Sequence, residues 1–309
     1  MATRKPSYRV LVTDYVWPST GPEREVLASI GAEIIEAPDP SAATLASLAA
    51  DVDAIMVCFA QVTDEVVRAA RKCVVISRYG VGVDNIAVDT ATQEGIAVTY
   101  IPDYCVDEVS DHVMALLLTW NRQVGFYDRV AKEGRWKGVT SPVPLIRLRG
   151  STLGVIGLGR IGRAVAEKAG AFGMEILVHD PYLPPAAPMP AGVKRVDLPG
   201  LLAQSDYITV HTPLNDETRG LVGAPELAQM KPSAFIINCA RGPILDEAAL
   251  YVALRDRQIA GAGLDVMEEA APSAGHPLFQ LDNVLVTPHV AFLSRQSIFE
   301  LEVRTAQAT

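Results

Sequence analysis

Three chemically capable residues, Arg241, Asp265 and His289, each stand in or directly after a short apolar run in the last quarter of the sequence. Such runs predict parallel strands, whose carboxyl ends share the edge of a sheet where ligands bind. An arginine there can clamp a carboxylate, because its planar guanidinium donates paired charged hydrogen bonds. A histidine can give or take the proton of an alcohol or ketone near neutral pH. Hydride transfer between a nicotinamide and a 2-keto acid needs these two services, so the residues suit that reaction.

Each of these residues alone also has an ordinary structural explanation. Arg241 fits a surface ion pair, and His289 fits a hydrogen-bonded interior histidine. Their joint position at one predicted sheet edge favours a catalytic role. The strands predicted to carry this edge are Tyr207–Val210, Ala234–Asn238, Ala262–Val266 and Val284–Thr287.

The stretch Ser151–Asp180 predicts a strand, a glycine turn, a helix and a second strand. Gly157, Gly159 and Gly162 form G-x-G-x-x-G at the start of the helix, which is typical of a site for a dinucleotide pyrophosphate. Asp180 follows Gly162 by 18 residues, close to the spacing of about 20 expected for a carboxylate that binds a ribose 2′-hydroxyl. Residues 179–182 include no Arg or Lys for a 2′-phosphate, so the sequence predicts NAD as the cofactor.

The composition is that of a soluble globular protein with room for two domains, at 309 residues and 20% charged residues. A net charge of −9 excludes an overall basic field for nucleic acid or anionic membrane. The opening residues lack the apolar segment of a signal peptide, and no apolar run is long enough to span a membrane. The four cysteines have no C-x-x-C spacing. We therefore expect a cytoplasmic protein with no metal site and no nucleic-acid or membrane partner.

The first hundred residues alternate apolar strands with helical segments, which predicts a doubly wound α/β domain. No glycine motif follows its first strand, so a second dinucleotide site is not expected there. The loop Arg78–Asn85 contains two glycines that could expose backbone N–H groups to a small anion, and a purely structural turn fits equally well.

Seven ordered blocks give the chain a wider resemblance between about Arg9 and Ser297. It resembles the D-2-hydroxyacid dehydrogenase family, most closely the branch related to C-terminal binding proteins. The blocks are SRYGVGVDNI from Ser77, PDYCVDEVSDH from Pro102, GLGRIG from Gly157, HTPL from His211, NCARGPILDE from Asn238, GLDVMEE from Gly263 and TPHVAF from Thr287.

The resemblance implies a fold and a set of roles. The fold is α/β with two doubly wound parallel-sheet domains. An NAD-binding Rossmann domain at 102–291, which also forms a homodimer interface, is inserted into a flavodoxin-like outer substrate domain at 1–101 plus 292–309. Arg241 would bind the substrate carboxylate, His289 would be the acid/base, and Asp265 would orient the nicotinamide carboxamide.

The resemblance also assigns the surroundings of these residues. The remaining residues implied for the NAD site are Gly157, Gly159, Arg160, Ile161, Gly162, Asp180, His211, Thr212, Pro213, Thr218, Cys239 and Ala240. Those implied for substrate binding beside Arg241 are Tyr79, Gly80, Val81, Gly82 and Phe292, with the loop contributing through its backbone.

One departure from the family pattern concerns the partner of His289. Family members place a glutamate five residues after the aspartate that matches Asp265, where it pairs with the histidine; here that position is Ala270. A shift of one residue would let Glu269 take the role, so Glu269 is a candidate catalytic residue.

The second departure concerns the substrate. The turn after the third strand, Val57–Gln61, has no basic side chain for a phosphate, which favours a small 2-keto acid or an apolar one packed by Phe292 and Tyr79. Two functions remain open. The chain is an NAD-dependent oxidoreductase for a small 2-hydroxy or 2-keto acid, or an NAD(H)-binding dimeric protein of the C-terminal binding protein type with vestigial activity.

Overall fold

The computed structural model describes residues 8–184 and 186–309. The chain divides into two compact units, of which the first runs to Tyr104 and includes Leu293–Thr309, and the second is Cys105–Phe292. We call them the N-terminal unit and the central unit. The domain limits at residues 101 and 291 stay a prediction.

Strands and helices alternate along both units. The strands are β1 Tyr8–Val12, β2 Ala32–Glu36, β3 Ala54–Val57, β4 Val75–Arg78, β5 Ala97–Tyr100, β6 Thr152–Ile156, β7 Glu175–His179, β8 Val193–Arg195, β9 Tyr207–Val210, β10 Phe235–Asn238, β11 Gly261–Leu264 and β12 Val284–Val286. The α-helices are α1 Gly21–Ala28, α2 Ala42–Ala49, α3 Asp64–Ala69, α4 Val88–Gln93, α5 Val106–Arg122, α6 Val124–Lys132, α7 Arg160–Ala171, α8 Leu198–Gln204, α9 Ala224–Leu227, α10 Glu247–Arg255 and α11 Arg295–Gln307. Single 3₁₀ turns lie at Gly242–Ile244 and Pro277–Gln280.

The N-terminal unit is built on a parallel sheet with the order β2-β1-β3-β4-β5. This is the flavodoxin-like order, so the expected fold class is confirmed for this unit. Every residue of β3 and β4 is buried, as expected for parallel strands with helices on both faces. Helix α11 belongs to this unit, where it packs against α1 and buries Leu301 and Thr305 completely.

The central unit is built on a seven-stranded parallel sheet with the order β12-β11-β10-β9-β6-β7-β8. Read outward from β6, this is the Rossmann order with one added strand, so the Rossmann prediction is also confirmed. Helix α5 covers one face of the sheet, where the Trp120 and Phe235 rings stack at 4.6 Å between centroids. A Cβ at Gly261 would come within 2.5 Å of the Trp120 ring, so this glycine lets α5 approach the strands closely.

The helices of the described ranges, 8–184 and 186–309, include none that is both long and apolar enough to cross a membrane.

Candidate active site

The glycine turn between β6 and α7 requires its three glycines for different reasons. Gly157 has φ of +92° and a Cβ there would lie 2.9 Å from the His211 carbonyl. A Cβ at Gly162 would lie 2.2 Å from the Gly157 carbonyl oxygen, whereas one at Gly159 would meet nothing within 4 Å. The first and third glycines are therefore required by close packing, and the second faces open space. Open space at this point fits a pyrophosphate that approaches the backbone.

Helix α7 begins at Arg160, with Ile161 as its second residue, directly after Gly159. Gly159 is its N-cap residue, and no side chain in the described part of the chain caps the helix. The first N–H groups of a helix have no partner within it and carry the positive end of the helix dipole. The arrangement therefore suits the two phosphates of NAD.

Asp180 lies at the end of β7, next to the glycine turn. Its Oδ2 accepts from the Leu158 N–H at 2.8 Å, and its Oδ1 accepts from the Tyr182 N–H at 3.0 Å. These bonds hold the carboxylate in a fixed orientation at the switch point of the sheet, where a ribose hydroxyl would be bound.

Arg195 is a basic residue that sequence reasoning missed, because it lies on the neighbouring strand β8. Its guanidinium donates to the Leu183 and Pro184 carbonyls at 3.3 and 3.0 Å. These bonds close the loop after Asp180 and use two of the donors of the Arg195 guanidinium. Arg195 therefore stabilises this loop. The absence of an Arg or Lys at 179–182 stands as the reason to expect NAD.

The segment after β9 carries His211, Thr212, Pro213 and Thr218. The His211 Nε2 lies 2.9 Å from the Thr209 hydroxyl, and burial lowers the pKa of the imidazole to about 3, so this histidine is neutral. The Thr218 hydroxyl donates to the Pro213 carbonyl at 2.6 Å and shapes the loop. The Thr212 hydroxyl is buried without a hydrogen-bond partner in the described structure. An orphaned hydroxyl next to the glycine turn is the kind of group that a bound cofactor satisfies.

Arg241 follows β10 in a turn that a buried asparagine organises. The Asn238 side chain donates to the Arg241 carbonyl at 2.8 Å and accepts from the Ala240 N–H at 3.0 Å. The Arg241 guanidinium donates to the Ala240 carbonyl at 2.8 Å. Burial and the Asp265 carboxylate raise the pKa of the Cys239 thiol well above its usual value, which favours the protonated thiol over the reactive thiolate. Asn238 is a further residue that the sequence reasoning left without a role.

Asp265, directly after β11, has a carboxylate with no exposed surface. Its Oδ1 accepts from the Thr287 hydroxyl at 2.6 Å and from the Val290 N–H at 3.0 Å, and its Oδ2 accepts from the Ala291 N–H at 2.9 Å. In this structure the carboxylate therefore organises the loop after β12. The nicotinamide contact implied by the family resemblance stays a prediction.

His289 lies inside that loop, in a backbone conformation that histidine seldom adopts. Its φ is +53°, and its N–H donates to the Asp265 and Thr287 carbonyls at 2.8 and 3.0 Å. Left-handed non-glycine residues persist only where their surroundings hold them, and they concentrate at functional sites. The Phe292 ring lies edge-on to the imidazole at 5.9 Å and is 8% exposed.

Glu269 is exposed, and in residues 8–184 and 186–309 it makes no hydrogen bond or ion pair, so the structure does not join it to His289. The loop before it is anchored elsewhere, because the Glu268 N–H donates to Glu247. Glu269 as the partner of His289 stays a prediction without structural support.

The predicted substrate loop, Tyr79 to Gly82, belongs to the N-terminal unit. The Tyr79 side chain is 2% exposed and its hydroxyl donates to Glu23 at 2.9 Å, so its ring has no surface on which a substrate could pack. Gly80 has φ of +146°, and a Cβ there would lie 2.9 Å from the Arg78 guanidinium. Val81 is 41% exposed. The Tyr79 N–H already donates to the Val57 carbonyl at 2.8 Å, and the Tyr79 carbonyl accepts from Arg78. The carboxylate-binding role of this loop stays a prediction.

The family of the chain follows from comparison with known proteins. Residues 114–291 match the D-isomer specific 2-hydroxyacid dehydrogenase, NAD binding domain. The chain is 40% identical over 265 residues to a glyoxylate reductase of Korarchaeum cryptofilum, covering 85% of this chain and 80% of that protein. The chain therefore belongs to the D-isomer specific 2-hydroxyacid dehydrogenase family.

Two further similarities bear on the substrate and on the fold. The chain is 44% identical over 237 residues to a D-3-phosphoglycerate dehydrogenase of Archaeoglobus fulgidus, covering 77% of this chain and 45% of that protein. It thus spans about half the length of the phosphoglycerate dehydrogenases that it matches. The D-lactate dehydrogenase of Aquifex aeolicus, solved with NAD and lactic acid, is similar with a TM-score of 0.87 at 28% identity, covering 97% of this chain and 93% of that one.

Proposed function

We propose that the chain is an NAD-dependent oxidoreductase for small D-2-hydroxy acids and the corresponding 2-keto acids. The observation that carries the proposal is the placement of Arg241 and His289 after β10 and β12 of the same sheet whose β6 carries the glycine turn. The residues proposed to bind the carboxylate, to donate the proton and to hold the dinucleotide thus follow strands of one parallel sheet at the same edge.

Each residue has a definite task in this proposal. NADH, when bound, supplies the hydride. Arg241 binds the carboxylate of the keto acid and fixes the orientation of the adjacent carbonyl, because its guanidinium matches a carboxylate in two parallel hydrogen bonds. His289 donates a proton to the keto oxygen during reduction and takes it back during oxidation.

A keto-acid panel tests the proposal. The purified chain is mixed with NADH and with glyoxylate, pyruvate, hydroxypyruvate or phosphohydroxypyruvate, and the loss of NADH absorbance is followed. We expect turnover on at least one small keto acid. In the His289→Asn variant, which keeps a residue that tolerates a left-handed backbone, kcat should fall by about 10²–10⁴-fold with NADH affinity unchanged.

The competing function is an NAD(H)-binding protein in which partner recognition replaces turnover. Ala270, where the family places a glutamate, is the feature in its favour. Tight NADH binding without turnover on any keto acid would support this alternative and contradict the oxidoreductase.

A small substrate is favoured over a phosphorylated one. Backbone N–H groups that could bind an anion in the turn after β3 are already occupied, because the Asp14 carboxylate accepts from Cys58, Phe59 and Ala60 at 3.0, 2.6 and 3.1 Å. A cation does lie near this turn, with the Arg78 guanidinium 5.8 Å from the Phe59 ring centre, but it is 6% exposed. In the panel, we expect phosphohydroxypyruvate to be the poorer substrate.

We also infer a homodimer, formed through the central unit. The family resemblance places the interface in this unit, where Trp136 is 80% exposed and Val124 is 56% exposed and both are therefore open to a test by substitution. Sedimentation should give a dimer that the Trp136→Asp variant weakens. Phe299→Asp, a matched change at a 60% exposed residue of the N-terminal unit, should leave the dimer intact. A location in the cytoplasm remains the prediction from composition.

A further inference from the structure

His112 lies on α5 and reaches the loop that carries the proposed acid/base. Its Nε2 is 2.9 Å from the Thr287 hydroxyl and 3.6 Å from the Asp265 carboxylate. The Thr287 hydroxyl donates its single proton to Asp265 at 2.6 Å, so it can only accept from His112. The hydrogen bonds therefore run in one direction, from the Nε2–H of His112 through Thr287 to Asp265.

The end of this chain of bonds surrounds His289 on both sides. Thr287 precedes His289 by two residues, and Val290 and Ala291 directly follow it. The Thr287 hydroxyl and the N–H groups of Val290 and Ala291 all donate to the Asp265 carboxylate. The N–H of His289 itself donates to the Asp265 carbonyl. The left-handed backbone of His289 is thus held by bonds that meet at Asp265, and His112 anchors one of them.

We propose that His112 is a positioning residue for His289, acting through Thr287 and Asp265. The proposal rests on the proposed function, in which His289 moves the substrate proton. Without the His112 N–H, the Thr287 hydroxyl is free to turn and the loop can relax from its unfavourable conformation.

Two substitutions of similar size separate the hydrogen bond from packing. His112→Gln keeps a donor near the Nε2 position, and His112→Leu removes it. For keto-acid reduction, we expect kcat of His112→Leu to fall about 10- to 100-fold, because small displacements of a catalytic group are costly. The Kd for NADH and the Tm should stay close to wild type, since the glycine turn is unchanged. His112→Gln should recover most of kcat.

A readout independent of turnover follows the histidine rings by NMR. The chain has five histidines, and the His289 signals are assigned from their loss in His289→Asn. We expect the His289 signals to shift or broaden in His112→Leu and to remain near their wild-type positions in His112→Gln.

The outcomes separate this inference from the proposed function. A wild-type kcat in His112→Leu, beside an inactive His289→Asn, would overturn the role of His112 alone. Equal losses in His112→Leu and His112→Gln, or parallel losses of NADH binding and Tm, would overturn it in favour of a packing role. Full activity of His289→Asn would overturn the acid/base assignment instead. If the wild type shows no turnover, the NMR comparison still decides whether His112 positions His289.

Discussion

At the scale of single residues, the glycine turn separates requirements of the fold from requirements of the ligand. Gly162→Ala places a methyl group 2.2 Å from a backbone oxygen, and such overpacking costs about 1–3 kcal/mol or more. We expect this variant to lose both Tm and NADH affinity. Gly159→Ala, facing open space, should keep its Tm and lose affinity only, as measured by thermal unfolding and NADH titration. Equal Tm losses in the two variants would contradict this account.

Arg241 allows a second test at this scale. Arg241→Lys keeps the charge but loses the planar pair of donors. Since a hydrogen bond to a charged group contributes about 1.5–3 kcal/mol, kcat/KM for keto acids should fall by about 10- to 100-fold while the Kd for NADH is unchanged. Retention of kcat/KM in steady-state assays would exclude a bidentate carboxylate contact.

The sequence could predict site residues that stand at strand ends, because a strand followed by a polar side chain is a local pattern. Arg241, Asp265 and His289 were identified in this way. Asn238 and His112 could not be identified from such a local pattern. Their roles consist of hydrogen bonds to loops, and these contacts exist only in the folded chain. The positive φ of His289 cannot be predicted from a pattern of residue types either.

At the scale of elements, prediction succeeded where burial imposes a continuous apolar run. Strands β9 and β10 are buried throughout and were predicted within about a residue of their ends. Strand β8, with the sequence VKR, is an exposed three-residue edge strand and was missed. Helix α11 was also missed, because its buried face includes polar residues such as Ser297, Glu302 and Thr305.

Glu302 on α11 makes the stability of the N-terminal unit depend on pH. Burial and the nearby Glu23 carboxyl raise its pKa to about 7 from the usual 4.5. A carboxyl whose folded pKa is raised favours folding fully below the unfolded pKa and loses that contribution as pH rises toward 7. Glu302→Gln should therefore match the wild type near pH 5 and exceed it in stability near pH 8, as measured by urea unfolding.

The control for this prediction is Glu25→Gln, at an exposed glutamate of α1. It should change stability little at either pH. A Glu302→Gln variant that gains nothing between the two pH values would show that the carboxyl titrates normally.

At the scale of the whole molecule, the residues proposed to hold the cofactor at the glycine turn belong to the central unit alone. A ligand at 100 times its Kd stabilises the folded state by about 2.7 kcal/mol. In calorimetry near pH 8 we expect NADH to raise the transition of the central unit, while Glu302→Gln raises that of the N-terminal unit. A single unfolding transition that shifts with both NADH and Glu302→Gln would contradict this expectation. Gly159→Ala, which should lose NADH affinity, is the control for the effect of NADH.

The order of the elements along the chain also has a consequence for synthesis. Strands β1–β5 leave the ribosome first, but α11, which buries Leu301 and Thr305 in the same unit, follows only after residues 101–294. At 5–20 residues per second, that interval lasts roughly 10–40 s. The central unit is contiguous and emerges whole in the meantime. On stalled nascent chains, protease resistance should therefore appear first in the unit that is encoded second.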